Sequence, residues 1–377
     1  MKKRSMLIPA FMFSLALLLN VIAWHSKEFC DFYVQYIFPT WVNTYARLTG
    51  MFSFSWGEIM LVVAVLFLLA AAVGLIIAAV LLLKDRDLAR RFWGRVRPYY
   101  RGLVWLSAFV LLVMTCNCFI LYHCSTFEEK YDIPHEEYTV EELSRMRDYV
   151  VKKANDLAKE MERDEGGRVI YTGDMKAEAA KAMQKLAEQG YGQLEGYYPQ
   201  PKGIMASGFL SQQHMLGYFF PFSMEANYND VMYITNKPAT MCHELSHLKG
   251  FIYEDEANYL AFLACIRSDD PLFRYSGYLS VLNYLDNAFF EAIGEDRDVY
   301  NSHRKISGIV KKDNVFLTPD AWKLVEKKAV ISTKTVNKAS KAFLEGNLQM
   351  NGVEDGIASY DRVVGLLLDY YKNEVIQ

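Results

Sequence analysis

TMCHELSHLKGFIYEDEANYLAFLAC, residues 240–265, places two histidines four apart with a glutamate directly after the first. On a helix, positions i and i+4 stand on one face, one turn apart. His243 and His247 can therefore share one ion at the ~2.0–2.1 Å of a zinc–imidazole bond. Glu244 is rotated off that axis. It cannot easily join the same ligand set, but it can reach a water beside the ion. This is the H-E-x-x-H arrangement of zinc peptidases. The competing reading is a solvated polar helix that carries the pattern by chance. The flanks argue against it: Pro238 and Thr240 can open a helix, Gly250 can stop it, and an acidic helix follows.

A tetrahedral catalytic zinc needs a third protein ligand and an open position. Glu254 is the first choice, with Asp255 and Glu256 as alternatives. Glu254 and Asn258 share a face at i and i+4. The small residues Ala257, Ala261 and Ala264 would let this second helix pack closely on the first. Asn258, or one of the spare acids, is placed to orient a histidine. The expected cofactor is one Zn2+ ion, which acidifies a water and polarises the scissile carbonyl, with Glu244 as general base.

Outward from this stretch, the first third of the chain is dominated by apolar runs. They cover residues 6–24, 59–83 and 102–122, and the second and third contain no charge. Each is close to the roughly 20 residues that cross a bilayer as a helix. The linker between the second and third runs holds Lys84, Arg86, Arg90, Arg91, Arg95, Arg97 and Arg101. The linker between the first and second holds only Lys27 and Arg47. With MKKR at the start of the chain, the positive-inside rule puts the N-terminus in the cytoplasm and everything after His123 outside. Trp24, Trp56 and Trp105 lie near run ends, where aromatic belts form. The first run could be a cleaved signal peptide, but VIAWHS offers no small-x-small cleavage site, so it is read as an anchor.

The net charge of −3 divides unevenly: residues 1–122 carry +7 and the remainder −10. A mildly acidic outer part is a poor partner for nucleic acid. Of the six cysteines, Cys116 and Cys118 fall inside the third run and Cys242 and Cys265 flank the histidine region. Cys30 and Cys124 lie just outside the membrane and could pair, although no disulfide framework is visible.

Beyond residue 122 the pattern is mostly helical. Thr139 and Glu142 form a capping-box signature ahead of an apolar face of Val140, Leu143, Met146, Val150 and Val151. A second helix is expected over 175–189, ending at Gly190. RVIYTGD reads as a short strand or an extended connector. Pro199, Pro201 and Pro221 forbid long helices in the aromatic-rich stretch that follows. VMYI, residues 231–234, reads as a short strand. PFSMEANYNDVMYI could form an edge strand that receives an extended peptide, with a plain structural strand as the alternative. Residues 280–377 are expected to be mostly helical. In FRYSGYLS, Arg274, Tyr275 and Tyr278 could donate to a developing oxyanion, or simply pack helices together. His123, His135, His214 and His303 have no ligand-like spacing.

HELSH, EDEANYLAFLAC and FRYSGYLS, preceded by PKGI and PFSMEANYN, resemble the bacterial membrane family called domain of unknown function 3810. FSWGE, ahead of the second apolar run, fits it too. The resemblance spans most of the chain. It implies a zinc metallopeptidase without a settled substrate. More distantly, His243, Glu244 and His247 with Glu254-x-x-Ala257-Asn258 resemble the gluzincin pattern, in which a Glu-x-x-Ala/Ser-Asp element supplies the third ligand. That ligand maps onto Glu254. The chain departs from the pattern at Asn258, where an aspartate is common, and in the short gap between His247 and Glu254. The gap is closer to the metzincin layout, whose last histidine position is occupied here by Tyr253.

The sequence thus predicts a mainly α protein. A membrane domain, 1–122, carries three transmembrane helices. A mostly helical, zincin-like extracytoplasmic domain with a small sheet, 123–377, follows. The expected function is hydrolysis of peptide bonds outside the cell membrane by a multi-pass zinc metallopeptidase, whose partners are the lipid bilayer and a peptide or protein substrate. The alternative is a non-catalytic sensor or structural membrane protein with a degenerate site. The oligomeric state is not legible in the sequence.

Overall fold

The structure, a computed structural model, describes residues 6–133, 138–353 and 362–375. The basic cluster Lys2 to Arg4, His135 and Asp361 lie outside the described residues. The chain is mainly helical with one small mixed sheet. Helices of eight residues or more are labelled α1 (Leu7–His25), α2 (Trp56–Lys84), α3 (Arg86–Met114), α4 (Val140–Leu157), α5 (Met175–Ala187), α6 (Lys237–Leu248), α7 (Glu254–Ile266), α8 (Pro271–Ala292), α9 (Pro319–Lys328), α10 (Thr333–Met350) and α11 (Val363–Tyr370).

Three helical stretches are long and apolar enough to cross a membrane: α1 with 19 residues, α2 with 29, and Arg86–His123 with 38. The last corrects the sequence reading. The basic linker is not a loop; α3 begins at Arg86, after a single extended residue, Asp85, whose carboxylate accepts the amides of Asp87 and Leu88. The reason lies in its spacing. Leu88, Ala89, Phe92, Trp93, Val96, Tyr99 and Tyr100 recur on one helical face and the arginines on the other. The apolar face lies on α2, where the Tyr99 hydroxyl donates to the Phe67 carbonyl and that of Tyr100 to Ala71 at 2.7 Å. Asn20 on α1 donates to Thr115 at 2.7 Å, tying α1 to the end of the same long stretch.

The segment between α1 and α2 folds as a chain of short helical turns whose Cys30, Tyr33, Val34, Phe38, Val42 and Ala46 are buried in the main core. That core is centred on α7, in which Tyr259 through Cys265 are buried without interruption. A helix apolar all round is stable only when surrounded, and α5, α6, α8 and α11 pack against it. The capping box at Thr139 and Glu142 opens α4 as the sequence implied. α5 ends two residues before the expected boundary, and Gly190 follows with a positive φ of 105°. RVIYTGD is a connector held by one bridge, Arg163 to Val169.

The sheet has the order β1 (Lys202–Gly203), β3 (Glu225–Tyr228), β2 (Gly217–Phe220). β1 is parallel to β3 and β2 antiparallel to it. One strand expectation is corrected and another resolves to its structural alternative. VMYI is not a strand, because Asn229 turns the chain first. Its carboxamide oxygen accepts the Val231 amide at 3.2 Å and its nitrogen donates to Ser211 and Met215. Such a local side-chain bond outcompetes a ladder. The EANY part of PFSMEANYNDVMYI is the central strand, paired on both sides. The edge beside α6 belongs to β2.

Glu225 ties this sheet to the first turn of α2. Its carboxylate accepts the amides of Trp56 at 3.1 Å and Gly57 at 2.8 Å, the Ser223 hydroxyl at 2.6 Å and the Lys202 ammonium at 2.5 Å. A buried carboxylate is tolerable only with such saturation, and removing it strands the buried ammonium. Glu225→Ala is therefore expected to destabilise the chain by about 3–5 kcal/mol. Denaturant unfolding in detergent would measure this; an unchanged midpoint contradicts the reading of Glu225 as a structural hub.

Candidate metal centre

α6 buries Met241, Cys242, Leu245 and Leu248 on its core side. The opposite face carries His243 and His247. The helix ends where Gly250 takes a positive φ of 91°. The Gly250 amide bonds back to the His247 carbonyl at 2.9 Å and the Phe251 amide to Ser246 at 3.3 Å. A Cβ at position 250 would come within 3.2 Å of Val34 and 3.3 Å of Gln193. Both the angle and the space favour glycine. The chain then reverses, and α7 starts at Glu254.

The turn brings one carboxylate oxygen of Glu254 to 3.0 Å from His243 Nε2 and 3.6 Å from His247 Nε2. Three ligands of a tetrahedral ion with ~2.0–2.1 Å bonds stand about 3.3 Å apart, so the observed spacings bracket that edge. The three groups converge within 4.8 Å of one another and could hold a metal ion. The far side of each imidazole is fixed by an acceptor. His243 Nδ1 donates to Asn258 Oδ1 at 2.9 Å, and His247 Nδ1 to the Phe251 carbonyl at 2.7 Å. Both Nε2 lone pairs are then left for a ligand in the neutral tautomer. The sequence anticipated the Asn258 contact; the Phe251 carbonyl it did not, because no side chain marks it.

Charges within the cluster follow from burial and proximity. Burial and the neighbouring His247 lower the pKa of His243. Burial alone would lower His247, but the Glu254 carboxylate raises it to about 9. Burial works to raise Glu254, yet the two imidazoles hold it well below the usual carboxylate range. Without an ion, the cluster thus keeps a proton on His247 facing Glu254.

Glu244 is buried beside these ligands. Burial, with the negative charge of Glu254, raises its pKa to about 8 against the opposing pull of His247. Among the described residues its Oε2 has no hydrogen-bond partner, an arrangement that costs free energy unless a water or substrate group completes it. β2 crosses directly over it: a Cβ on Gly217 would stand 2.6 Å from Glu244 Oε1 and 2.6 Å from the Asn227 carbonyl. Gly217 went unnoticed in the sequence, where one glycine among 22 carries no signal.

Other candidates lie elsewhere. Glu256 accepts the Phe127 amide at 2.5 Å, and Asp255 pairs with Arg362 at 3.2 Å. Neither is grouped with the histidines, so Glu254 stands alone as the third group. Tyr275 donates to Asp313 at 2.8 Å, Tyr278 meets Tyr149 at 3.4 Å, and Arg274 lies 4.0 Å from Glu160. These three hold α8 to its neighbours, and none of them bonds to the cluster. Cys242 and Cys265 approach to 3.8 Å as buried thiols between α6 and α7.

The family described as "Protein of unknown function (DUF3810)" matches residues 33–368. The chain belongs to this DUF3810 family. The match includes the metal-ligand candidates, the sheet, the segment 33–55 that completes the core and the two long helices after it. No curated protein and no solved structure matches the chain.

Gly217→Ala would force β2 away from α6 or turn the Glu244 carboxylate aside. Its melting temperature is expected to fall by several degrees, about 1–3 kcal/mol of overpacking. A melt that matches the unsubstituted protein would show that β2 does not press on Glu244.

Proposed function

We propose that this chain is a membrane-embedded zinc metallopeptidase that hydrolyses peptide bonds on the extracytoplasmic side. The observation that carries the reading is the convergence of His243, His247 and Glu254, with both Nδ1 atoms already engaged and an unpartnered Glu244 oxygen beside them. Zinc held by these three would polarise a scissile carbonyl and acidify a water. Glu244 accepts the water's proton and delivers it to the leaving amine. Glu244 can take that proton only as a carboxylate; burial and Glu254 raise its pKa to about 8 without an ion, and a bound dication would favour the ionised form. Asn258 and the Phe251 carbonyl keep the imidazoles in the ligating tautomer.

β2 supplies the place for a substrate. Among the described residues it pairs with β3 alone, so its second edge is open to an extended peptide. A strand added there would run beside Glu244. Gly217 keeps that position free of a side chain.

For the membrane, α1, α2 and the stretch from α3 onward act as three spans. The arginines of α3, of which Arg86, Arg90, Arg91, Arg95 and Arg97 are exposed, face the cytoplasm. The catalytic domain then lies outside, in water, because its acidic cluster is too costly to bury in lipid.

Two measurements test the chemistry. Glu244→Gln is expected to keep one zinc per chain and lose about 10²–10⁴-fold in the rate of peptide cleavage. Cleavage at the original rate contradicts the assigned role. Zinc binding must also expel the proton on His247, whose pKa near 9 keeps it charged at pH 7. Calorimetry in buffers of different ionisation enthalpy should therefore find at least one proton released per zinc at pH 7, more if Glu244 ionises as the ion binds, and affinity falling as pH drops. Zinc binding with no proton release would count against His247 as a ligand.

A further inference from the structure

The site sits very close to the end of a membrane helix. Glu58 is the last charged residue before the uncharged run 59–83, so it marks where α2 leaves lipid. Its buried carboxylate accepts the amides of Met205 and Ala206 at 3.0 and 2.6 Å, fixing the start of the short helix Ser207–Gln212 at that level. Gly57, one residue above, lies against the Phe220 ring: a Cβ there would come within 2.7 Å of it. Phe220 is the last residue of β2, and Gly217, the first, touches Glu244. Four strand residues rise about 10 Å. Glu244 therefore lies no more than about 10 Å, plus a side chain's reach, from the boundary of the spanning helix.

The surface at this level is apolar. Met51 and Met205 are 78 % and 82 % exposed, and Phe209 is 54 % exposed. Phe52, Phe54 and Trp56 form an aromatic cluster with centroids 5.3–5.4 Å apart, directly before α2. This patch continues the lipid-facing surface of α2, which names its occupant as the outer leaflet. Aromatic side chains favour that boundary.

We infer that the substrate is the juxtamembrane segment of a membrane-anchored polypeptide, cut within about six residues of where it leaves the outer leaflet. The inference rests on the metallopeptidase reading and adds the substrate class to it. An extended chain covers about 10 Å in three residues, and about three more allow for the width of the cleft. Anchoring in the same bilayer also holds such a segment at high effective concentration beside β2. Polypeptide that has left the bilayer has to pass β2 close to the lipid surface.

The test uses the full zinc-loaded chain in lipid nanodiscs. An anchored substrate carries a uniform repeating spacer, so that the position of the cut reports geometry alone. The same spacer is supplied as a free peptide, and a diazirine-bearing phosphatidylcholine labels residues in contact with lipid. Cuts confined to about the first six residues after the anchor, with lipid label on residues 51–54 and 205–209, are expected. Cuts spread evenly along the spacer overturn the inference, as does absence of label from both segments. If the free peptide is cut and the anchored spacer is not, the inference fails alone. If neither is cut, it falls together with the peptidase reading. Met205→Ser with Phe209→Ser, both exposed and outside the cluster, should leave free-peptide cleavage unchanged and slow anchored cleavage several-fold.

Discussion

One carboxylate, Glu254, has to reach two imidazoles that belong to a different helix, and the structure around it serves that convergence. The turn at Gly250 makes it possible. A side chain there would suffer both the backbone angle and the walls formed by Val34 and Gln193. Once the turn is made, α7 is held by its own burial. Seven consecutive buried residues leave it no freedom to slide, so Glu254 is set by the core and not by a loop. The penalty for burying an acid and two histidines is offset locally: each imidazole has an acceptor on its Nδ1, and the acid faces both Nε2 atoms. Among the described residues, the Oε2 of Glu244 and the amide nitrogen of Asn258 are left over as buried atoms without partners. Leftover polarity of that kind is common where a ligand completes a site.

Buried hydrogen bonds and a shared core join the apolar helices to the rest of the chain. Glu225 and Glu58 both engage backbone amides across the junction of α2 and the sheet. Residues between α1 and α2 enter the same core as α7. The strand over Glu244 is thus braced by the first turn of α2. In such an arrangement a disturbance at the first turn of α2 is felt at β2, through the contact of Gly57 with Phe220.

The part of the site that was legible in the sequence was the local part. His243, Glu244, His247, Glu254 and Asn258 lie within sixteen residues, and helical geometry alone relates most of them. The choice of Glu254 over Asp255 and Glu256 needed the fold, because a helix points three adjacent acids in three directions. The apolar runs were legible by composition, yet the helical continuation through the arginines was not, because the density of charge over 84–101 masks the apolar face spaced between the arginines. VMYI looked like a strand by propensity, and the Asn229 side chain overrode that preference. For Tyr275, Tyr278 and Arg274 the sequence left two readings open, and the structure fits the one in which they pack helices together. Their partners, Asp313, Tyr149 and Glu160, are far away in sequence, and nothing local distinguishes a tyrosine that packs from one that reaches a cleft. Gly217 and the Phe251 carbonyl left no trace at all, since one has no side chain and the other acts through its backbone.

Zinc-edge X-ray absorption on the purified, zinc-loaded chain tests the central claim most directly. The account predicts a first shell of nitrogen and oxygen scatterers only, near 2.0–2.1 Å, with the outer-shell pattern of two imidazoles. A sulfur shell at about 2.3 Å, drawing in Cys242 or Cys265, would contradict it. So would a protein that returns from zinc loading and desalting without bound metal.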